Sequence, residues 1–257
     1  MTEVVVRPVR FTDQVARMQH FLEVIGLRPW IVTDRGGWSD LAAGGGRVAL
    51  HDASTSASGA PSGQTSLAFE TTDVSALAAR LGAAGVGEVT VYDEAYGRVL
   101  TCVDPDGAVV AVDETPDDLY GYQVHAEQGA PESLRVMPVR FADPAGPYGG
   151  FLRALGLTPA GEINPYYVNF LAGGGAQGQV GLHYVFGEDL PVVPGGRCPA
   201  VQLTFESAEP LEQLAVRLAA AGYEPGISTE DFGSLLHVTD PDGQVVQVHE
   251  PAAPKES

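Results

Sequence analysis

Basic residues are scarce in this 257-residue chain: 14 Lys and Arg stand against 33 Asp and Glu, a formal net charge of −19. A surface that acidic repels phosphate backbones and anionic bilayers, so neither nucleic acid nor membrane is an expected partner. It favours a neutral or cationic ligand. Cysteine is nearly absent. Cys102 and Cys198 lie far apart, which supports neither a disulfide framework nor a zinc site and leaves buried thiols as the expectation. No apolar run approaches the roughly 18 residues that a membrane helix needs. The opening MTEVVVRPVRFTD interrupts its valines with Glu3, Arg7 and Arg10. It lacks the apolar core and small-residue cleavage site of a signal peptide, reads as a first strand, and makes the cytoplasm the expected location. Familiar catalytic motifs are missing too: there is no G-x-S-x-G elbow, no P-loop and no dinucleotide fingerprint. The glycine runs at 44–46 and 173–175 lack the helix and the Lys or Ser/Thr that phosphate binding requires, so they read as hairpin turns.

What is present is a duplication. PVRFTD at 8–13 returns as PVRFAD at 138–143, and IGLRP returns as LGLTP. DLAAGGGRVALH matches FLAGGGAQGQVGLH, which sets His51 against His183. SLAFETTD matches QLTFESAE, and YGRVLTCVDPDGAVVAVDE matches FGSLLHVTDPDGQVVQVHE. Matches in one order, with short insertions between blocks, mark a tandem repeat. Residues 1–118 form a first half, 119–133 a linker and 134–252 a second half.

Inside each half a smaller pattern recurs. A strand at 4–11 leads to Asp13 as helix N-cap, then to a stripe of Val15, Met18, Phe21, Leu22 and Ile25 that closes on Gly26. Strands are expected at 29–32, 38–42 and 47–52, followed by a Ser/Gly/Pro/Ala loop at 53–63. The pattern restarts with a strand at 65–71, Asp73 as N-cap and a stripe of Val74, Leu77, Ala78 and Leu81 ending at Gly85. Strands at 89–93, 98–103 and 108–113 complete it. The last two are joined by DPDG, where Pro105 pre-sets φ and Gly107 accepts a positive one. The second half predicts helices at 148–155 and 210–221, with strands around 168–172, 179–185, 201–206, 235–239 and 244–249. The fold class is α+β, a tandem duplication containing four βαβββ units.

Paired βαβββ units that close on DPDG and an alternating strand resemble the vicinal oxygen chelate superfamily: glyoxalase I, extradiol dioxygenases, fosfomycin resistance enzymes and bleomycin resistance proteins. The resemblance spans essentially the whole chain, twice. It implies two cup-shaped mixed sheets with flanking helices, each cup able to hold a metal or a ligand. It also implies a fused pseudo-dimer that acts as a monomer. Metal-dependent members place His, Glu or Gln ligands at four cup positions. Carried over residue by residue, these fall on Val6, Ala49, Ser66 and Ala111 in the first half, and on Val136, Gly181, Gln202 and Gln247 in the second. A hard divalent cation needs several converging His and carboxylate ligands. Gln202 and Gln247 are the only residues of the ligand types His, Glu or Gln in either set, so neither a metal nor another cofactor is expected.

Other residues are then candidates for ligand contact. His51 and His183, alone among six histidines, match between halves. Each ends an alternating strand and would share a face with Ala49 or Gly181, as hydrogen-bond donor, as base, or simply satisfied by backbone or water. Arg10 and Arg140 share by alternation the face of Val6 and Val136. They would clamp a carboxylate or stack on a ring, or pair with Glu70 and Glu206, the arrangement usual for buried charge. His249 stands where the first half has Asp113, so the cups differ in charge. Trp30, Trp38, Tyr92 and Tyr96 rim the first cup, and Tyr166, Tyr167, Tyr184, Phe186 and Phe232 the second.

The expected ligand-binding set is Arg10, Trp38, His51, Tyr96, Arg140, Tyr167, His183, Gln202, Phe232, Gln247 and His249. Together with the missing metal donors it leads to a small organic, aromatic ligand, sequestered without metal as in the bleomycin resistance proteins. The alternative is a lyase, isomerase or dioxygenase acting on a small oxygen-rich substrate. It would use His51, His183 or His249 as acid or base, or a weak metal site on Gln202 and Gln247. A third possibility is a relic with filled cups.

Overall fold

Among the described residues four amphipathic helices each bury one apolar stripe. The structure, a computed structural model, describes residues 3–33, 36–94, 97–115, 122–124, 132–184, 201–230 and 233–251. Helix α1 (Val15–Ile25) buries Met18, Phe21, Leu22 and Ile25, and α2 (Val74–Ala83) buries Val74, Leu77 and Leu81. Helix α3 (Tyr148–Ala154) buries Tyr148, Phe151 and Leu152, and α4 (Leu211–Ala220) buries Leu211, Leu214 and Leu218. Spacings of three and four put each set on one side of its helix. They pack on one apolar sheet face, where Leu41, Leu50, Phe69, Val112, Phe170, Phe205 and Val248 join a single continuous core. Asp73 caps α2 by accepting from Ala76 N at 2.9 Å. Asp13 does not cap α1: Gln14 takes that position and makes no side-chain cap bond. Gly26 closes α1 as expected, with φ 133°.

The first half holds two sheets. One runs Arg28–Thr33, Trp38–Ala42, Arg47–Asp52, Val9–Thr12, Thr65–Ser66. The other runs Val4–Val6, Ala68–Thr71, Val109–Glu114, Gly97–Val103, Gly87–Glu94. The two opening strands lie antiparallel, with Val6 opposite Phe69 in one sheet and Val9 opposite Ser66 in the other. Each therefore crosses between sheets, one at Arg7–Pro8 and the other at Leu67. Pro8 has no N–H to continue the ladder; Arg7 N instead bonds Ala68 O, and Pro8 O accepts from Ala49 N, each at 3.0 Å. The second half repeats the layout. Residues expected to be linker contribute a strand: Tyr122–Val124 extends the first sheet beside Arg28–Thr33.

The halves interlock around an approximate twofold relation. Arg217 of α4 donates to Val24 O at 2.7 Å and Ile25 O at 3.0 Å, the C-terminal carbonyls of α1. Arg80 of α2 does the same to Ala154 O and Leu155 O at 2.9 and 2.7 Å, beside the end of α3. A cation at a helix C-terminus is favoured by the helix dipole. The glycine runs close hairpins as predicted, and they also touch across the seam. Gly45 N donates to Leu134 O at 3.1 Å and Gly45 O accepts from Val136 N at 2.8 Å. A Cβ on Gly45 would sit 2.8 Å from Gly175 O, and one on Gly178 would sit 3.2 Å from Gly46 Cα. Glycine is required there by the approach of one backbone to another.

Gly45→Ala is therefore expected to cost about 1–3 kcal/mol by forced overpacking. Gly82→Ala, inside α2 with nothing within 4 Å, should instead gain about 0.5–1 kcal/mol. Chemical denaturation of the two variants checks the opposite signs.

Candidate functional site

Strand register defines the two cup faces. In the first half, rows run Asp40–Ala49–Val9–Ser66, Trp38–His51–Phe11, Thr101–Ala111–Ala68 and Val99–Asp113–Glu70–Val5. Ala49, Ser66 and Ala111 thus lie on the cup face, as their matched positions imply. Val6 does not: it is opposite Phe69 and fully buried in the core. Alternation runs through the change of sheet at Arg7–Pro8: Val5, Arg7, Val9 and Phe11 face the cup, and Val6 and Arg10 lie on the opposite face.

Arg7 is the centre of a buried ion cluster. Its Nε donates to Asp40 Oδ2 at 2.7 Å, its Nη1 to Asp113 Oδ2, and Glu70 Oε2 lies 3.8 Å from Nε. Arg47 Nη1 bonds both oxygens of Glu70 at 2.6 Å, and Thr115 Oγ1 donates to Glu70 Oε1 at 2.8 Å. The guanidinium carbons lie over the only two tryptophans: Arg7 is 5.3 Å from the Trp38 ring and Arg47 is 4.6 Å from that of Trp30. Burial alone would lower the Arg7 pKa, but Asp40, Asp113 and Glu70 more than offset it, and the group stays charged. Burial raises the Asp40 pKa against the pull of Arg7. Asp40 Oδ1 is buried with no hydrogen-bond partner.

The second cup has the same geometry and different chemistry. Rows run Asn169–Gly181–Val139–Gln202, Tyr167–His183–Phe141, His237–Gln247–Thr204 and Leu235–His249–Glu206–Arg135. Asp40 therefore corresponds to Asn169, one residue before the Phe170 that the repeat alone sets opposite it. Met137, Asn169, Gln179 and His249 stand at the places of Arg7, Asp40, Arg47 and Asp113. Only Glu206 repeats its acidic counterpart, Glu70. Glu206 accepts from Gln179 Nε2 at 3.1 Å and from Arg135 Nη1 at 2.7 Å, where the first half has Val5. Tyr167 Oη donates to Asn169 Oδ1 at 2.7 Å and lies 2.6 Å from where a Gly181 Cβ would be, so the phenol fills that position. Burial, with Glu206 nearby, raises its pKa. Burial also lowers the His249 pKa and favours its neutral form.

The remaining sequence candidates separate clearly. His51 and His183 sit at the rims with their rings against Trp38 and Phe11, and against Tyr167 and Phe141. Each Nδ1 meets a backbone carbonyl, Asp52 O at 2.8 Å and Tyr184 O at 2.5 Å. Gln202 Nε2 donates to Val245 O at 3.3 Å. Arg10 and Arg140 do share the face of Val6 and Val136, as alternation predicts, but that face is turned away from the cup, and neither arginine pairs with Glu70 or Glu206. Arg10 pairs with Asp240 and bonds Thr65 Oγ1 at 3.1 Å, while Arg140 pairs with Asp106 at 2.7 Å and Asp104 at 3.4 Å. Both reach into the DPDG turn of the opposite half, so they are part of the seam. Trp30 and Trp38 border the first cup as expected. Tyr96, Phe186 and Phe232 lie outside the described residues. Arg7 was missed because the carried-over ligand position put Val6 on the cup face, and Asp40 and Arg47 because only strand pairing brings them to it.

The donor set does not fit a divalent metal. Ala49, Ser66 and Ala111 offer no ionisable ligand, Gly181 offers no side chain, and Val6 is turned into the core. Among the described residues no group of three or more His, Cys, Asp or Glu is placed to hold an ion.

No family model and no curated protein sequence matches the chain. Solved structures do. The Mn(II)-bound glyoxalase from Novosphingobium aromaticivorans is 18% identical with a TM-score of 0.60, over 98% of this chain and 84% of that one. A catechol 2,3-dioxygenase is 13% identical with a TM-score of 0.60, over 98% and 90%. The 2,3-dioxygenase LapB from Pseudomonas sp. KL28 is 14% identical with a TM-score of 0.62, over 100% and 96%. At these identities the likeness is one of fold: the chain has the vicinal oxygen chelate fold in its two-half fused form.

Arg7→Met alone should cost about 3–5 kcal/mol, because it leaves buried carboxylates without their counter-charge. Exchanging the whole set for the second half's residues (Val5→Arg, Arg7→Met, Asp40→Asn, Arg47→Gln, Asp113→His) should recover most of that loss. Urea unfolding of the single and fivefold variants checks both.

Proposed function

We propose that the first cup receives a small organic molecule and holds it by charge, hydrogen bonds and aromatic contact, not through a divalent metal. One observation carries this. The second half builds the same scaffold with Met137, Asn169, Gln179 and His249, so the fold does not need Arg7, Asp40, Arg47 and Asp113 at those places. Buried ion clusters stabilise little relative to well-packed neutral side chains. Where the neutral solution is available and ions are kept, their use is in binding or chemistry. Trp30 and Trp38 add ring surface beside the charges.

The solved structures named above are a glyoxalase and two dioxygenases. They support turnover of a small oxygen-rich substrate, in the broad class of lyases, isomerases and dioxygenases, more than they support antibiotic sequestration. Sequestration of an aromatic compound is the second reading, favoured by the poor metal-donor set. In either case the chain acts as a monomeric pseudo-dimer in the cytoplasm. No described helix is long and apolar enough to cross a membrane.

The test is titration of the full chain with small catechols, hydroxy-aromatic acids and aromatic amines. Tryptophan fluorescence reports binding and mass spectrometry reports products, with and without Mn(II), Fe(II) or chelator. Saturable quenching that survives chelator and weakens about tenfold or more in Asp40→Asn is the expected result, the scale of one charged hydrogen bond. Binding that requires a divalent ion, or that ignores the Asp40 exchange, would overturn the assignment.

A further inference from the structure

We infer that the first cup selects a ligand carrying a compact cation, an ammonium or amidinium group, and that Asp113 is the residue it meets. This rests on the first cup being the binding site. Within the cluster two guanidinium groups, Arg7 and Arg47, face three carboxylates, Asp40, Glu70 and Asp113. Among the described residues the cluster therefore holds one more carboxylate than guanidinium. The shortfall has a location, because Asp40 is 1% exposed, faces the cup opposite Ala49, and leaves Oδ1 without a partner.

Asp113 is the reachable carboxylate. Its side chain is 20% exposed, against 2% for Asp40 and 5% for Glu70. Along the cup face its strand continues to the small Ala111, which lies opposite Thr101 and Ala68. A cation that pairs with Asp113 takes over the contact now made by Arg7 Nη1. The guanidinium, released from Asp113, is then free to turn further onto Asp40. Asp40 Oδ1 gains the donor it lacks, and the cluster gains the missing positive charge. The Trp38 face already sits beside a guanidinium, an environment that suits a cationic aromatic ligand. The surrounding charge of −19 draws cations toward the surface in the first place. The second cup lacks this device, since His249 and Asn169 occupy the places of Asp113 and Asp40.

Three probes with one ring and three charges test the idea on the full chain: phenethylamine, phenylacetamide and phenylacetate, followed by tryptophan fluorescence. Phenethylamine should bind about tenfold or more tighter than the amide, with the carboxylate weakest. Asp113→His, the second half's own residue, should shrink the amine's advantage to about threefold or less. Asp113→Asn should do the same by a milder change, and thermal unfolding confirms that both variants are folded. Amide and amine binding equally well to the wild type overturns the cation selection while leaving the first cup as the site. An amine preference that survives both Asp113 variants also overturns it. Failure of all three probes to bind saturably at millimolar concentration overturns both the selection and the site.

Discussion

Each opening strand crosses from one sheet to the other after only a few residues, and the chemistry of both cups follows from that crossing. At Arg7–Pro8 the imino residue cannot donate, so the ladder changes partners: Arg7 N turns to Ala68 O while Pro8 O serves Ala49 N. The parity of side chains carries through the same point. Val6 enters the core, Arg7 enters the cup, and Val9 and Phe11 continue the cup face by the same alternation. Arg10 keeps the face of Val6, turned away from the cup, and there Asp240 of the other half's DPDG turn receives it.

The duplication supplies an internal comparison that a single domain cannot. Two copies of one scaffold fill equivalent positions with Arg7, Asp40, Arg47 and Asp113 in one case and Met137, Asn169, Gln179 and His249 in the other. Desolvating charges is expensive, and mutual attraction only partly repays it. The second copy shows that the geometry closes without that expense. The first copy still keeps a cluster with more carboxylates than guanidiniums and one orphaned oxygen. Stability alone gives no reason for such an arrangement, whereas a ligand that completes the charge balance does.

The DPDG turns hold a second role that their local chemistry hides. Asp104 and Asp240 each accept two backbone N–H bonds inside their own turn, from residues 106 and 108 and from residues 242 and 244. The other carboxylate oxygen faces an arginine of the opposite half. With the Arg80 and Arg217 contacts to helix ends and the glycine hairpins at the seam, these pairs bind the halves in a fixed relation. The cups are thus positioned by a seam built from turns and termini, while their linings remain free to differ.

Much of this was legible in the residues themselves. The repeat, the four helical stripes, the strand blocks and the empty metal positions all depend on local periodicity or on which donor a side chain carries, and both are written in order along the chain. The start of α1 at Gln14 in place of Asp13, the strand at Tyr122–Val124 and the partners of Arg10 and Arg140 were not legible. Each depends on which distant backbone lies alongside. The sequence by itself determined that there are two cups without an ordinary metal-ligand set. Only the tertiary structure decided that Arg7 centres one of them, because long-range strand pairing chooses which of the opening strand's two alternating faces lines the cup and which carboxylates meet it there.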